Sequence, residues 1–307
     1  MLNKYRSQSD LTKAHIQMHL SILLWGLTGV LGRGIELNEG LLVWYRMLLV
    51  TASLFIYVRL TNASLRVSSK NLRQLVFIGI LLMAHWILFY GAIKHSNVSV
   101  TLSLFSSTAI FTALTEPLIT KKKFNKTELL YSAMAMAGIG IIFYTDENSF
   151  GAGMILALLA AFVGAFFNIL NKNVVHEVQS SVVSFYEILA GWLALTPLLT
   201  FYLYFFPAEK MTPSLHDWLL LGVLSLLCTH ITLILSLNAL KHLSAFTLNL
   251  AINLEPIYGI TLAFLIFGEN KSLNKWFFLG ASVILLSVAL HSYFSSKNEA
   301  PERVIET

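Results

Sequence analysis

Long apolar runs separated by short polar connections recur along almost the whole chain, and they limit the fold more than any other feature. A bilayer core of about 30 Å takes about 20 residues of α-helix. The sequence provides ten such stretches, near 18–35, 40–60, 73–93, 97–118, 128–145, 151–171, 182–205, 217–239, 244–267 and 275–294. Hydrocarbon offers no water to backbone polar groups, so each stretch has to cross as a helix. Only 12% of residues are charged, against about 25% in a soluble domain. Nothing is left over for a soluble domain, and residues 1–17 and 295–307 read as polar tails. Neighbouring helices can accommodate Pro117, Pro197 and Pro256 within spans. The first run follows Lys4, Arg6 and Lys13 as in a signal peptide. It carries Arg33 and lacks a small-x-small cleavage site, so it reads as a retained helix.

The formal charge of +5 is spread in short tracts between apolar runs, which argues against a nucleic-acid surface. With the N-terminus inside, cytoplasmic segments hold 15 Lys and Arg and outer loops hold 5. That bias places both termini in the cytoplasm. The lone cysteine, Cys228, excludes an intramolecular disulfide and a Cys-based zinc cage. No HExxH, GxSxG, Walker or Rossmann pattern is present, so no catalytic residue, metal or cofactor is expected.

The second half of the sequence resembles the first. A shift of 147 residues sets Ala92-Ile93-Lys94-His95 on Ala239-Leu240-Lys241-His242. A shift of 141 brings Trp44-Tyr45-Arg46 onto Phe185-Tyr186-Glu187. Five spans per copy is odd, so the copies must be inverted in the membrane, as in alternating-access transporters with a site at the midplane between halves.

Each half also resembles the EamA-type repeat of the drug/metabolite transporter superfamily. The resemblance rests on Trp25-Gly26, Arg46, and Asn253-Leu254-Glu255-Pro256 followed by Phe267-Gly268-Glu269, and it covers about 18–294. It implies an all-α secondary transporter of two inverted five-helix repeats, 18–145 and 151–294. Such a protein would export a small metabolite, such as an amino acid or nucleoside, from a bacterial-type cytoplasmic membrane. The implied partners are that substrate, the lipid bilayer and a coupling proton. The fourth span departs from the pattern, with Thr108-Ala109 in place of Glu255-Pro256 and Lys121-Lys122-Lys123 in place of the Gly-Glu ending. Rival readings are a passive channel, a lipid scramblase and an intramembrane enzyme.

Ionisable groups inside a membrane cost about 2.5 to 3.5 kcal/mol each, so each needs a reason. At about 1.5 Å per residue, His85, His230 and Glu255 fall near the midplane. Arg46 and Glu187 fall near opposite surfaces, which makes a direct ion pair between them unexpected. Arg46 either snorkels outward, pairs with Glu36 or Glu39, or faces the substrate path. Glu187 is expected to gate or pair helices beside an Asn or Lys172. Glu255 either relays a proton or caps carbonyls freed by Pro256. In the ninth span Asn249 and Asn253 share one face and Glu255 lies on another. Trp25, Trp86 and Tyr90 are the aromatic candidates, and Asn168 ends a small-residue stripe. The expected substrate set is therefore Trp25, His85, Trp86, Tyr90, Asn168, His230, Asn249, Asn253 and Glu255, with Arg46 and Glu187 as gating or helix-pairing residues. The fifth and tenth spans, with Ala133, Ala137, Gly138, Leu285 and Leu286, should be packing helices.

Overall fold

The computed structural model describes residues 8–121, 123–124, 126–145, 151–252, 254–271 and 273–298. Among them all regular structure is helical. The first three helices are α1 (Gln8–Gly34), α2 (Glu39–Leu60) and α3 (Ser69–His95). Then come α4 (Val98–Phe105), α5 (Thr108–Thr120), α6 (Lys126–Thr145), α7 (Gly151–Glu177) and α8 (Ser180–Phe205). A π-turn, Leu226–Ile231, joins α9 (Leu215–Ser225) to α10 (Thr232–Leu240). The chain ends with α11 (Ala245–Ile252), α12 (Glu255–Phe267) and α13 (Lys275–Asn298). Seven helical spans are long and apolar enough to cross a membrane. Three shorter apolar helices, Ala133–Ile142, Glu255–Phe267 and Lys275–Ser287, stand where the fifth, ninth and tenth crossings are expected. Large apolar side chains such as Leu60, Leu118, Phe201, Leu219 and Leu265 lie exposed on the outside of the bundle, as a lipid-facing surface requires.

Three spans that read as continuous helices are not continuous. The fourth breaks at Ser106–Ser107 and the ninth between Ile252 and Glu255. The eighth carries the π-turn. In the fourth, Ser106 Oγ donates to the Leu102 carbonyl at 3.3 Å and Thr108 Oγ1 to that of Phe105 at 2.6 Å. Hydroxyls that compete for backbone acceptors in this way weaken a helix. In the ninth, Pro256 lacks an N–H and cannot sit in a helix interior, so the helix restarts with Pro256 in its first turn.

The two broken spans share one backbone plan. The segments Val98–Phe105 and Thr108–Thr120 begin and end 147 residues before Ala245–Ile252 and Glu255–Phe267. Asn97 caps α4 by accepting from the Val100 N–H at 2.8 Å, and Ser244 caps α11 by accepting from Thr247 at 2.9 Å. The closing residues, Lys121 at φ 57° and Gly268 at φ 64°, are both left-handed.

Packing obeys the same symmetry. α2 packs on α8, α4 on α12 and α6 on α13, each pairing a span with the one five later. α3 runs along α7 as α1 runs along α9 and α10. This is the pairing expected of two structural repeats packed on each other. Bare glycines permit the closest crossings. A Cβ on Gly138 would lie 2.7 Å from the Gly280 carbonyl oxygen, and one on Gly191 would lie 2.7 Å from that of Gly79. Small residues allow such backbone approach where no hydrophobic force acts between helices in lipid.

Candidate functional site

A cavity of about 100 Å³ lies between the halves, walled by α1, α2, α3, α5, α7, the π-turn, α10 and the facing ends of α4, α11 and α12. Both interrupted spans meet it at their breaks, through Thr108 at the start of α5 and Glu255 at the start of α12. Ligand pockets typically enclose about 300 to 1,000 Å³, so this cavity is small by comparison. The helices α6, α8 and α13 contribute no wall among the described residues.

Arg46 dominates the polar side of the cavity. It is 3% exposed, and its guanidinium carbon lies 3.7 Å above the Trp86 ring. Nε donates to Thr229 Oγ1 at 2.9 Å, and Nη1 donates to the Tyr90 hydroxyl at 2.7 Å. The π-turn makes the first of these bonds possible. Thr229 Oγ1 donates to the Leu224 carbonyl five residues back, which turns the hydroxyl toward α2. Such turns insert one extra residue into a helix and often mark functional positions. Thr232, just beyond the π-turn, accepts from Trp25 Nε1 at 2.9 Å.

His85 is anchored from behind the cavity wall. His85 Nδ1 donates to the Ala160 carbonyl at 2.9 Å, and its ring forms a triangle with those of Phe89 and Phe105. Gly164 allows this approach, since a Cβ there would stand 3.2 Å from His85 Nδ1. Asn168 is 3% exposed.

Of the residues singled out in the sequence, the cavity gathers Trp25, His85, Trp86, Asn168 and Glu255, together with Arg46. Tyr90 stands behind Arg46 and is not a wall residue. His230 points elsewhere, with Nδ1 2.8 Å from Ser53 Oγ and its ring edge-on to Tyr57. Asn253 lies outside the described residues, and of Asn249 only the backbone position in α11 is described. Glu187 is fully buried where α3 crosses α8, and the Asn171 side chain of α7 is its polar neighbour, without closing a hydrogen bond. Lys172 is not its partner there, because its ammonium reaches the Leu240 and Leu243 carbonyls.

One expectation is corrected by this geometry. Arg46 neither snorkels outward nor pairs with Glu36 or Glu39, because Lys210 holds Glu36 and Tyr202 holds Glu39. Sequence reading missed Thr229 and Thr232. Their signal was a pair of hydroxyl residues, three apart, inside an otherwise apolar span.

A second charged cluster joins the halves at one end of the bundle. The Glu269 carboxylate accepts from the Val98 N–H at 3.1 Å, the Ser99 N–H at 2.9 Å and the Ser99 hydroxyl at 2.5 Å. Arg33 Nη1 lies 3.2 Å from it. A carboxylate at a helix N-terminus is favoured by both the orphan N–H groups and the helix dipole.

Comparison with known proteins agrees with this architecture. The EamA-like transporter family matches residues 12–144 and 151–293. The chain belongs to that family. The uncharacterized transporter YxxF of Bacillus subtilis strain 168 is 22% identical over 293 residues, covering 92% of this chain and 91% of that protein. A Synechocystis protein, the uncharacterized transporter sll1164, is 24% identical over 66% of this chain and 60% of its own length. A protein of known crystal structure superposes with a TM-score of 0.66 at 15% identity, covering 92% of this chain and 98% of the other, which shows a shared fold. The chain is thus a multi-pass membrane protein of a transporter family built from two EamA repeats.

Proposed function

We propose that the protein is a secondary transporter that exports a small metabolite through the central cavity by alternating access. One observation carries the reading: two spans five apart break at matched positions, and both breaks open on one cavity between the halves. Interrupted helices at a repeat interface mark the substrate site in transporters built this way. Trp25, His85, Trp86, Asn168 and Glu255 are the proposed substrate contacts, with Asn249 and Asn253 added from the sequence. The charge bias of the loops supports a cytoplasmic membrane location with both termini inside.

Thermal stabilisation of the purified protein by amino acids, nucleosides and organic acids would identify a ligand. With that ligand, Trp86→Ala should weaken binding by about 1 to 3 kcal/mol. Leu285→Ala on α13 should lower the melting temperature and leave affinity nearly unchanged. Equal loss of binding per degree of destabilisation in the two variants would remove the cavity from consideration. Glu255 is placed to carry a coupled proton. Glu255→Gln should keep binding and lose any acceleration of transport by a pH gradient in proteoliposomes. Undiminished acceleration would assign Glu255 to structure alone.

A further inference from the structure

The Arg46 guanidinium has donor capacity that the described residues do not use. Thr229, Tyr90 and the Trp86 ring hold it in one orientation. Its second terminal nitrogen, Nη2, makes no hydrogen bond among the described residues, and no carboxylate of theirs lies within 4.0 Å. Glu255 shares the cavity without pairing directly. A fixed cation at this depth is costly unless it has a function, and no described residue supplies the planar oxyanion that would be the strongest partner for a guanidinium. Around it the walls are aromatic: Trp25, Phe89, Phe105 and Phe167.

On the reading of this cavity as the transport site, we propose that Arg46 receives the carboxylate of a small organic acid whose body is apolar or aromatic. Glu255 competes with that acid for the same cation. A neutral or cationic analogue of equal shape brings no counter-charge to Arg46 and is discriminated against. Polyanions such as nucleotides carry more negative charge than the single cation offsets. The acid therefore needs one negative group at one end and a flat apolar remainder against the rings.

The test is equilibrium binding to the purified full-length protein, by calorimetry at fixed pH and ionic strength. Three probes of equal shape are compared: hydrocinnamate, its amide and phenethylamine. The acid should bind about tenfold tighter than the amide or the amine. Arg46→Lys, which keeps the charge but loses the planar fork, should weaken the acid about tenfold. Arg46→Gln should bring the acid to the level of the amide. Glu255→Gln should tighten the acid severalfold relative to the amide. Retained amide binding and an unchanged melting temperature show that a variant is folded. If Arg46→Gln does not fold, the wild-type probe series and Glu255→Gln still decide. The proposal is overturned if the acid fails to bind at about 10 mM, if amide and acid bind equally, or if Arg46→Gln keeps the preference for the acid. Leu81→Trp, which fills the cavity, separates the two levels of inference. Acid binding that survives Leu81→Trp removes the cavity itself. Equal acid and amide binding that is lost in Leu81→Trp removes only the role of Arg46.

Discussion

The fourth and ninth spans, α4–α5 and α11–α12, have the same backbone and different chemistry. Both have a capped start, an eight-residue half-helix, a break, a thirteen-residue half-helix and a left-handed end. At the break, however, one offers Thr108 and the other Glu255-Pro256. One turn further on, buried Thr112 stands where Gly259 lets α12 press against Gly26 of α1. At the close, Lys121 occupies the position that Gly268 fills in the other copy. The Glu269 that follows Gly268 clasps the start of α4, while its counterpart, Lys122, carries the opposite charge and lies outside the described residues. The comparison shows that caps, breaks and end residues preserve geometry through divergence, while side chains at the cavity and the ends are reassigned. The carboxylates that face the cavity and clasp the end both belong to the second half.

The sharpest way to break this comparison is at Glu269. Glu269→Ala should cost about 3 kcal/mol, because it leaves buried donors at the start of α4 without an acceptor. Arg33 is 37% exposed, so its share of the pairing is small. The measurement is the melting temperature in detergent, beside Ser244→Ala, which removes the cap of α11 and should cost about 1 kcal/mol. Equal shifts would mean that the two half-helices are held alike and that the asymmetry exists only in sequence.

A smaller effect sharpens the comparison at the closing residues. Gly268→Ala should destabilise by about 1 kcal/mol, and Lys121→Gly should stabilise by about 0.5 to 1 kcal/mol, since a side chain at positive φ is strained. The two variants should move melting temperature in opposite directions. A loss in Lys121→Gly would show that the lysine side chain contributes more than its backbone conformation costs.

The crossings are legible in sequence because length and apolarity alone decide whether a segment can span lipid. The interruptions are harder to read. Ser106–Ser107 resembles any small-residue step in a membrane helix, and only the 147-residue alignment with Glu255-Pro256 gives it away. The π-turn is hidden for a related reason, since Thr229, His230 and Thr232 are too few polar residues to reveal that one extra residue shifts their register. Depth is legible and azimuth is not. His85 and His230 read as equally central, yet His85 meets the cavity while His230 is turned toward Ser53 and Tyr57. Arg46 could be assigned a depth, but its facing depends on Tyr90, Trp86 and the π-turn Thr229, three contacts from other spans that no pattern along α2 encodes.

The Glu269 clasp has a consequence for which side the empty protein keeps closed. Were the repeats identical, closure at either end would have equal free energy, and the resting population would divide evenly. A clasp at one end, if the proposed opening of that end breaks it, would remove the balance. Each 1.4 kcal/mol is a factor of about ten in such a ratio, so about 3 kcal/mol leaves on the order of one molecule in a hundred open at the clasped end. Under the orientation proposed from the loop charges that end is the outer one. On the proposed reading of the chain as an alternating-access exporter, the unloaded protein would wait open to the cytoplasm, the side from which it would take its cargo.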